Sequence, residues 1–293
     1  MKNIWMALSY AFCWGVGMTF SKLALAEISA PTLLIIQLVV SVSFLQTICY
    51  LKERKLFISW KSLKLGMAGI LEPAFAHMAG TLGLSLTTVS NASLIGSTEV
   101  ILTILFAALF LGEKLTPTKL LLALVSFSGV LFLIGEKLHN SARGSFTGDL
   151  LVLLATVIAV GYVILSKVQI TTASPLEMTV SQQLVGLIVT LICLGIFSLV
   201  NPNHNIDFTG IRLQFWLLAI GSGIMQYALA FLFYLTALKT VPVSQAAFYV
   251  ALVPVFGVSS AILLLGEHPS VTQWIGGGLV LVSSYGANRL KPG

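Results

Sequence analysis

The sequence predicts an all-α integral membrane protein of ten transmembrane helices, arranged as two inverted five-helix repeats. Three observations lead there. Hydrophobic residues make up 57% of the 293-residue chain and charged residues only 9%, where soluble domains carry about 25% charge. Long stretches free of Asp, Glu, Lys and Arg recur throughout. The chain also repeats itself: Leu84, Val89, Ser90, Ala92 and Leu111-Gly112-Glu113 return 154 positions later as Leu238, Val243, Ser244, Ala246 and Leu265-Gly266-Glu267. The same offset pairs Gly69, Ile70, Glu72, Ala74 and Ala76 with Gly223, Ile224, Gln226, Ala228 and Ala230.

A crossing of ~30 Å of hydrocarbon needs ~20 residues. With the isolated acids Glu72 and Glu99 restored to their helices, the charge-free runs give spans of approximately 4–22, 30–51, 65–85, 91–112, 118–136, 148–167, 177–199, 213–236, 242–265 and 271–289. Met1-Lys2-Asn3 and the run ending near Ala24-Leu25-Ala26 have the outline of a secretory signal. That run is about 18 residues, longer than the usual signal core, and its closing Ser21-Lys22 returns as Ser166-Lys167 after the sixth span. It is read as a retained first helix. Pro31 and Pro175 open the second and seventh spans, and Ser90-Asn91 and Ser244 start the fourth and ninth. Pro117 and Pro269 precede the fifth and tenth. Gly15, Gly17, Gly69, Gly161, Gly221, Gly223 and Gly276-Gly277-Gly278 are read as sites of close helix approach.

Five spans per half is an odd number, so the second half, 148–293, enters the membrane from the opposite side to the first, 1–136. The early parts of the halves match at an offset of 144–145, as in Ala30-Pro31 against Ser174-Pro175, which places an insertion in the second half around Asn201 to Asp207. The net charge of +6 follows the loops. With the N-terminus cytoplasmic, twelve Lys and Arg fall inside and only Lys22, Lys137, Arg143 and Arg212 outside. This positive-inside bias places both termini in the cytoplasm and accounts for the basic charge without a nucleic-acid partner. Cys13, Cys49 and Cys193 all fall inside spans and are read as packing residues, not a disulfide framework. No His/Cys/carboxylate group has metal-ligand spacing, no phosphate-cradling G-x-x-x-x-G-K-[ST] loop occurs, and no nucleophile and base pair up within the spans. The expectation is a protein with no cofactor and no enzymatic activity, its partners being the lipid bilayer and a small molecule; the sequence carries no signature of oligomeric state.

The doubled segment, Ala92 to Leu111-Gly112-Glu113 and Ala246, Pro254, Leu265-Gly266-Glu267, followed by an amphipathic link and a Gly-rich helix, resembles the EamA family of the drug/metabolite transporter superfamily. The resemblance covers essentially the whole chain. It implies a ten-helix inner-membrane carrier of small organic solutes, often exporting amino acids or related metabolites, with a central cavity lined by the first, third and fourth helices of each half. It also implies a kink at a Pro thirteen residues before the motif Glu. The second copy has Pro254 there, whereas the first has Val100, preceded by Glu99.

Glu72 and Glu99 are the only carboxylates well inside the spans. A charge at the bilayer centre costs a few kcal/mol even on mild scales, so such groups usually face a cavity or a partner and mark function. Glu99 lies about 12 Å from the outer end of span four and Glu72 about 10 Å from the inner end of span three, which would set them on opposite sides of one cavity and suits them to proton coupling or cation recognition. Their counterparts, Val253 and Gln226, are uncharged. Asn91, Ile95 and Glu99 share a face of span four, and Gln245, Tyr249 and Val253 the matching face of span nine. Trp14 and Tyr227 add aromatic surface. The candidate site is therefore Trp14, Glu72, Glu99, Gln226, Tyr227, Gln245 and Tyr249. His77 stands about 140° from Glu72 on a regular helix and is read as a packed neutral ring. The predicted function is secondary-active transport by alternating access, with protons as coupling ion. A carrier for cationic amines and a non-transporting receptor on the same fold are the alternatives.

Overall fold

A computed structural model describes residues 2–86, 95–96, 98–134, 145–200, 206–265 and 270–290. Those residues are helical almost throughout and contain no strand. Among them, five stretches are apolar and long enough to cross a bilayer: Ala30–Glu53, Phe146–Gln169, Pro175–Phe197, Leu213–Leu238 and Val243–Leu264. Glu99–Leu111 and Pro117–Phe132 are shorter apolar helices. Polarity is inverted relative to a soluble protein. Gln182 and Gln183 are fully buried, while Leu109 and Leu263 are 74% and 83% exposed, the arrangement expected where hydrocarbon is the solvent.

Local chemistry sets the helix ends. The first helix, α1, is Lys2–Ala24, and α2 is Ala30–Glu53. Ser29 caps α2 by accepting the Thr32 N–H at 3.4 Å, Pro31 sits in its first turn, and Arg54 at φ 54° closes it. Pro175 opens α8 (Pro175–Val200), as the sequence predicts, and Pro117, expected just before the fifth span, is the first residue of α6 (Pro117–Ile134). The last helix, α13 (Val271–Arg289), starts with a reciprocal capping box between Ser270 and Gln273. Ser90, Asn91, Gly266, Glu267 and Pro269 lie outside the described residues.

Among the described residues, four predicted spans depart from a regular helix. The third begins at Trp60, five residues earlier than expected, and is α3 (Trp60–Leu65), a 3₁₀ turn (Gly66–Ile70), a π turn (Leu71–Phe75) and α4 (Ala76–Leu86). Within the π turn Glu72 has extended dihedrals, φ −144° and ψ 126°, and Pro73 has no N–H to give a helical ladder. The eighth is α9 (Leu213–Ser222), a π turn (Gly223–Leu229) and α10 (Ala230–Leu238). The ninth breaks at Ala251 and Leu252, between α11 (Val243–Val250) and α12 (Val253–Leu265), with Pro254 in the first turn of α12. The first copy makes the equivalent turn without a proline. Thr98, just before α5 (Glu99–Leu111), donates to Ile95 O from its N–H at 3.0 Å and its hydroxyl at 2.6 Å.

Packing joins the two halves rather than closing each on itself. α1 lies against α9, α10 and α12, while α7 (Phe146–Gln169) lies against α4 and α5. α2 meets the π turn at 223–229, and α8 meets α3 and the turns at 66–75. α2 also packs on α8, and α6 on α13. Two glycines at equivalent positions of the halves make close approaches. A Cβ on Gly69 would overlap the Gln182 carbonyl, and one on Gly223 would stand 2.9 Å from the Gln37 carbonyl.

The ends are tied across the halves too. At one end the Glu113 carboxylate accepts the N–H groups of Val243 and Ser244 at 2.6 and 3.1 Å, capping α11. Beside it the Lys167 ammonium, at the end of α7, donates to Leu238 O and Val241 O. The α10–α11 turn is thus held by a cation at the end of one helix and an anion at the start of the next, each favoured by the helix dipole. At the opposite end Arg212 pairs with Glu27, and the Ser145 N–H donates to Leu86 O at 3.1 Å.

Two stability predictions follow from these contacts. Gly69→Ala forces α8 away from the 66–70 turn and lowers stability by roughly 1–3 kcal/mol, read as a lower thermal midpoint in detergent, whereas Gly278→Ala, with nothing within 4 Å, leaves the midpoint unchanged. Glu113→Gln removes a charged cap and costs about 1–2 kcal/mol in the same measurement.

Candidate functional site

The break in the third span creates the site's first feature. Because the chain at Glu72 is extended and the next turn is π-wound, the regular-helix geometry that separates Glu72 from His77 does not apply. His77 Nδ1 lies 3.9 Å from Glu72 Oε1, and both side chains are largely enclosed. The reading of His77 as remote from Glu72 is corrected on this point; Pro73 was the residue in the sequence that argued against a regular helix. His77 Nδ1 makes no hydrogen bond in the structure. Its ring stands 5.3 Å from that of Tyr227 in the π turn of the eighth span.

Glu99, at the start of α5, lies within electrostatic reach of Glu72, and the Tyr10 and Tyr234 phenols each feel both carboxyls. Around them runs a connected set of rings. Trp14 meets Tyr10 edge-on at 5.5 Å and Phe231 at 5.1 Å. Tyr10 meets Tyr234 at 4.8 Å, Tyr162 meets Phe231 at 5.8 Å, and Tyr227 stacks on Phe231 at 6.5 Å. Tyr10 and Trp14 are four apart on α1, and Tyr227, Phe231 and Tyr234 follow at i, i+4 and i+7, so each group forms one stripe. That spacing was visible in the sequence. The assembly was not, because aromatic stripes in membrane helices usually serve packing alone.

Gln226 is directed elsewhere. Its Oε1 accepts from the Ser21 hydroxyl at 2.9 Å, and Gln37 Nε2 donates to Ser21 Oγ and Ser222 Oγ, both at 2.8 Å. A parallel set occurs in the other half, where Gln182 Nε2 donates to Ser166 Oγ at 3.2 Å and Tyr162 OH donates to Gln182 Oε1 at 2.9 Å. Gln245 and Tyr249 are brought together, but both donate to Asn288 Oδ1 on α13, at 3.2 and 3.1 Å. Of the seven sequence candidates, Trp14, Glu72, Glu99 and Tyr227 gather in one place. Gln226 adjoins them along the chain with its amide engaged by Ser21. Tyr10, Tyr162, Phe231, Tyr234 and His77 complete the cluster.

Among the described residues no three His, Cys, Asp or Glu side chains come together to hold a metal. The Tyr234 hydroxyl, in a residue only 4% exposed, has no hydrogen-bond partner in the structure. Two carboxyls, an imidazole, the unpartnered Tyr234 hydroxyl and several ring faces can hold a proton or a cation.

The profile of the EamA-like transporter family matches residues 1–135 and 146–289. The chain belongs to the EamA-like transporter family. It is similar to a protein of Archaeoglobus fulgidus named as an uncharacterized transporter, with 25% identity over 290 residues covering 97% of each chain. A Clostridium kluyveri protein of the same name is 27% identical over 246 residues, covering 82% of this chain and 77% of the relative. A crystal structure 17% identical in sequence superimposes with a TM-score of 0.81 over 99% of each chain, a likeness of fold. With its long apolar helices, this EamA-like protein is a multi-pass membrane protein of a transporter family.

If the Ser21 network only holds the bundle, Ser21→Ala leaves Gln226 and Gln37 each short of a partner and costs roughly 1–3 kcal/mol. The expected result is a lower thermal midpoint with ligand affinity per folded molecule unchanged.

Proposed function

We propose that this protein is a secondary-active carrier of small organic metabolites that works by alternating access and exports from the cytoplasm. The observation that carries this reading is the meeting of Glu72 and Glu99, both from residues 1–136, with Tyr162, Tyr227, Phe231 and Tyr234 from residues 148–293. A site built from both halves changes its exposure when the halves move against each other.

Ten spans in two inverted repeats agree with the way helices pack. Exchanging each element of the first half for its counterpart in the second turns the pairs α1 with α10 and α1 with α12 into α7 with α4 and α7 with α5, and both sets occur. The ties at the ends agree with an alternating chain direction, Glu113 meeting Val243 on the side of the N-terminus and Glu27 meeting Arg212 on the other. The positive-inside bias of the loops supports cytoplasmic termini, and the reading is of a protein of the cytoplasmic membrane. Glu72 and Glu99 serve as the proton-coupling groups, faced by His77, Tyr10, Tyr162, Tyr227 and Tyr234.

The test is counterflow in proteoliposomes, with and without an imposed pH gradient. The expected outcome is saturable flux that the gradient accelerates and that Glu99→Gln reduces by about tenfold or more at equal reconstitution. Saturable binding without counterflow would identify a receptor instead, and no movement of any small solute would remove the carrier reading.

A further inference from the structure

We infer that the group recognised at this site is an ammonium, so that the cargo is an organic amine or other monovalent organic cation rather than a zwitterion or an anion. The inference rests on the carrier reading above for the statement that the bound molecule is cargo. Its own basis is the charge and chemistry around Glu72 and Glu99.

Glu72 lies in the field of Glu99 and beside His77, and no described Lys or Arg belongs to the cluster. In the described helices, Lys and Arg occupy only the first or last two turns of each span, as Lys22, Lys52, Lys61, Lys64, Lys119, Lys167 and Arg289 do. The His77 imidazole nitrogen Nδ1 stands 3.9 Å from the Glu72 carboxyl. Among the described residues, a bound carboxylate would therefore face two acids with an imidazole, phenols and the single Trp14 indole N–H to receive it, whereas an amino acid site needs a positive group or a set of N–H donors for that end of the molecule. The helix start that could supply such donors, at α5, carries Glu99 itself.

The rings argue in the same direction. Trp14 stands 5.5 Å from Tyr10 and 5.1 Å from Phe231, and Tyr227 stands 6.5 Å from Phe231, so the rings offer a run of faces and edges. A ring face attracts a cation and is strongest when water is excluded, and Tyr10, Tyr227 and Phe231 are buried. The unpartnered Tyr234 hydroxyl and His77 Nδ1 are buried polar atoms of the kind that a bound N–H group satisfies. An ammonium with an apolar body is the one ligand class that uses the acids, the rings and the orphaned atoms together.

Matched sets of molecules that differ only in head group test this on the full chain in liposomes. One set is 2-phenylethylamine, phenylalanine and 3-phenylpropionate; the other is pentylamine, norleucine and hexanoate. Binding is read by thermal stabilisation and transport by counterflow. The expected result is that in at least one set the amine binds about tenfold or more tightly than its zwitterionic and anionic partners. Glu72→Gln and Glu99→Gln, each monodisperse on gel filtration, should abolish that preference. Phe231→Leu, which removes a ring and no charge, should weaken the amine several-fold without changing the order of head groups. Equal or tighter binding of the zwitterion or anion in both sets, or an amine preference that survives both Gln variants, overturns the inference. Flux of norleucine or phenylalanine in that case leaves the carrier standing, whereas amine binding without flux of any solute removes the carrier and keeps the ammonium site.

Discussion

Within hydrocarbon a chain can leave the helical path only where protein, not lipid, surrounds the backbone groups that lose their partners. This constraint organises the molecule. Each break lies among neighbouring helices: the 66–75 turns against α8, the 223–229 π turn against α1 and α2, and Ala251 and Leu252, which are 4% and 2% exposed, before α12. The breaks are also where the polar chemistry stands. Glu72 is in one, Gln226 and Tyr227 in another, and Glu99 directly follows the turn at Thr98. Irregular backbone and functional side chains share an address because both need the same shelter.

The shelter depends on close approach. Gly69 beneath the Gln182 carbonyl and Gly223 beneath the Gln37 carbonyl let α8 and α2 cover the two irregular turns. Gln182 and Gln37 then direct their side chains to Ser166 and Ser21. The two halves use one set of parts, yet they end differently. In the second half the network closes on the Gln226 amide, while the corresponding position in the first half is the Glu72 carboxyl beside an imidazole. A carboxamide is both donor and acceptor and can be satisfied within the bundle; a carboxylate has only acceptor oxygens and calls for a proton or a cation.

How much of this was legible in the sequence depends on the kind of information. Helix ends marked by Pro31, Pro117 and Pro175 were readable because proline restricts the local backbone whatever surrounds it. The pairs Ser21-Lys22 and Ser166-Lys167 were readable as repetition, though not as a hydrogen-bonded seam. The approach of His77 to Glu72 was hidden by the assumption of 3.6 residues per turn through a segment containing Pro73. Gln245 and Tyr249 were placed on the correct common face, but a face does not name its neighbour, and Asn288 lies 43 residues beyond Gln245. The role of Glu113 was the least visible. The L-G-E motif identified the family, while the bond from its acid to the start of α11 spans 130 residues and depends on the packing of α5 against α11.

That bond and its neighbour give the turn between α10 and α11 a particular mechanical character. Lys167 grips it from α7 and Glu113 from the end of α5, so four helices meet at one short stretch of backbone whose two sides carry opposite charges. A displacement of α10 or α11 that opened the turn would have to strip both ions from their partners together. Parting α10 from α11 at this corner therefore costs two charged contacts at once, so the corner resists opening more than a turn held by backbone hydrogen bonds alone.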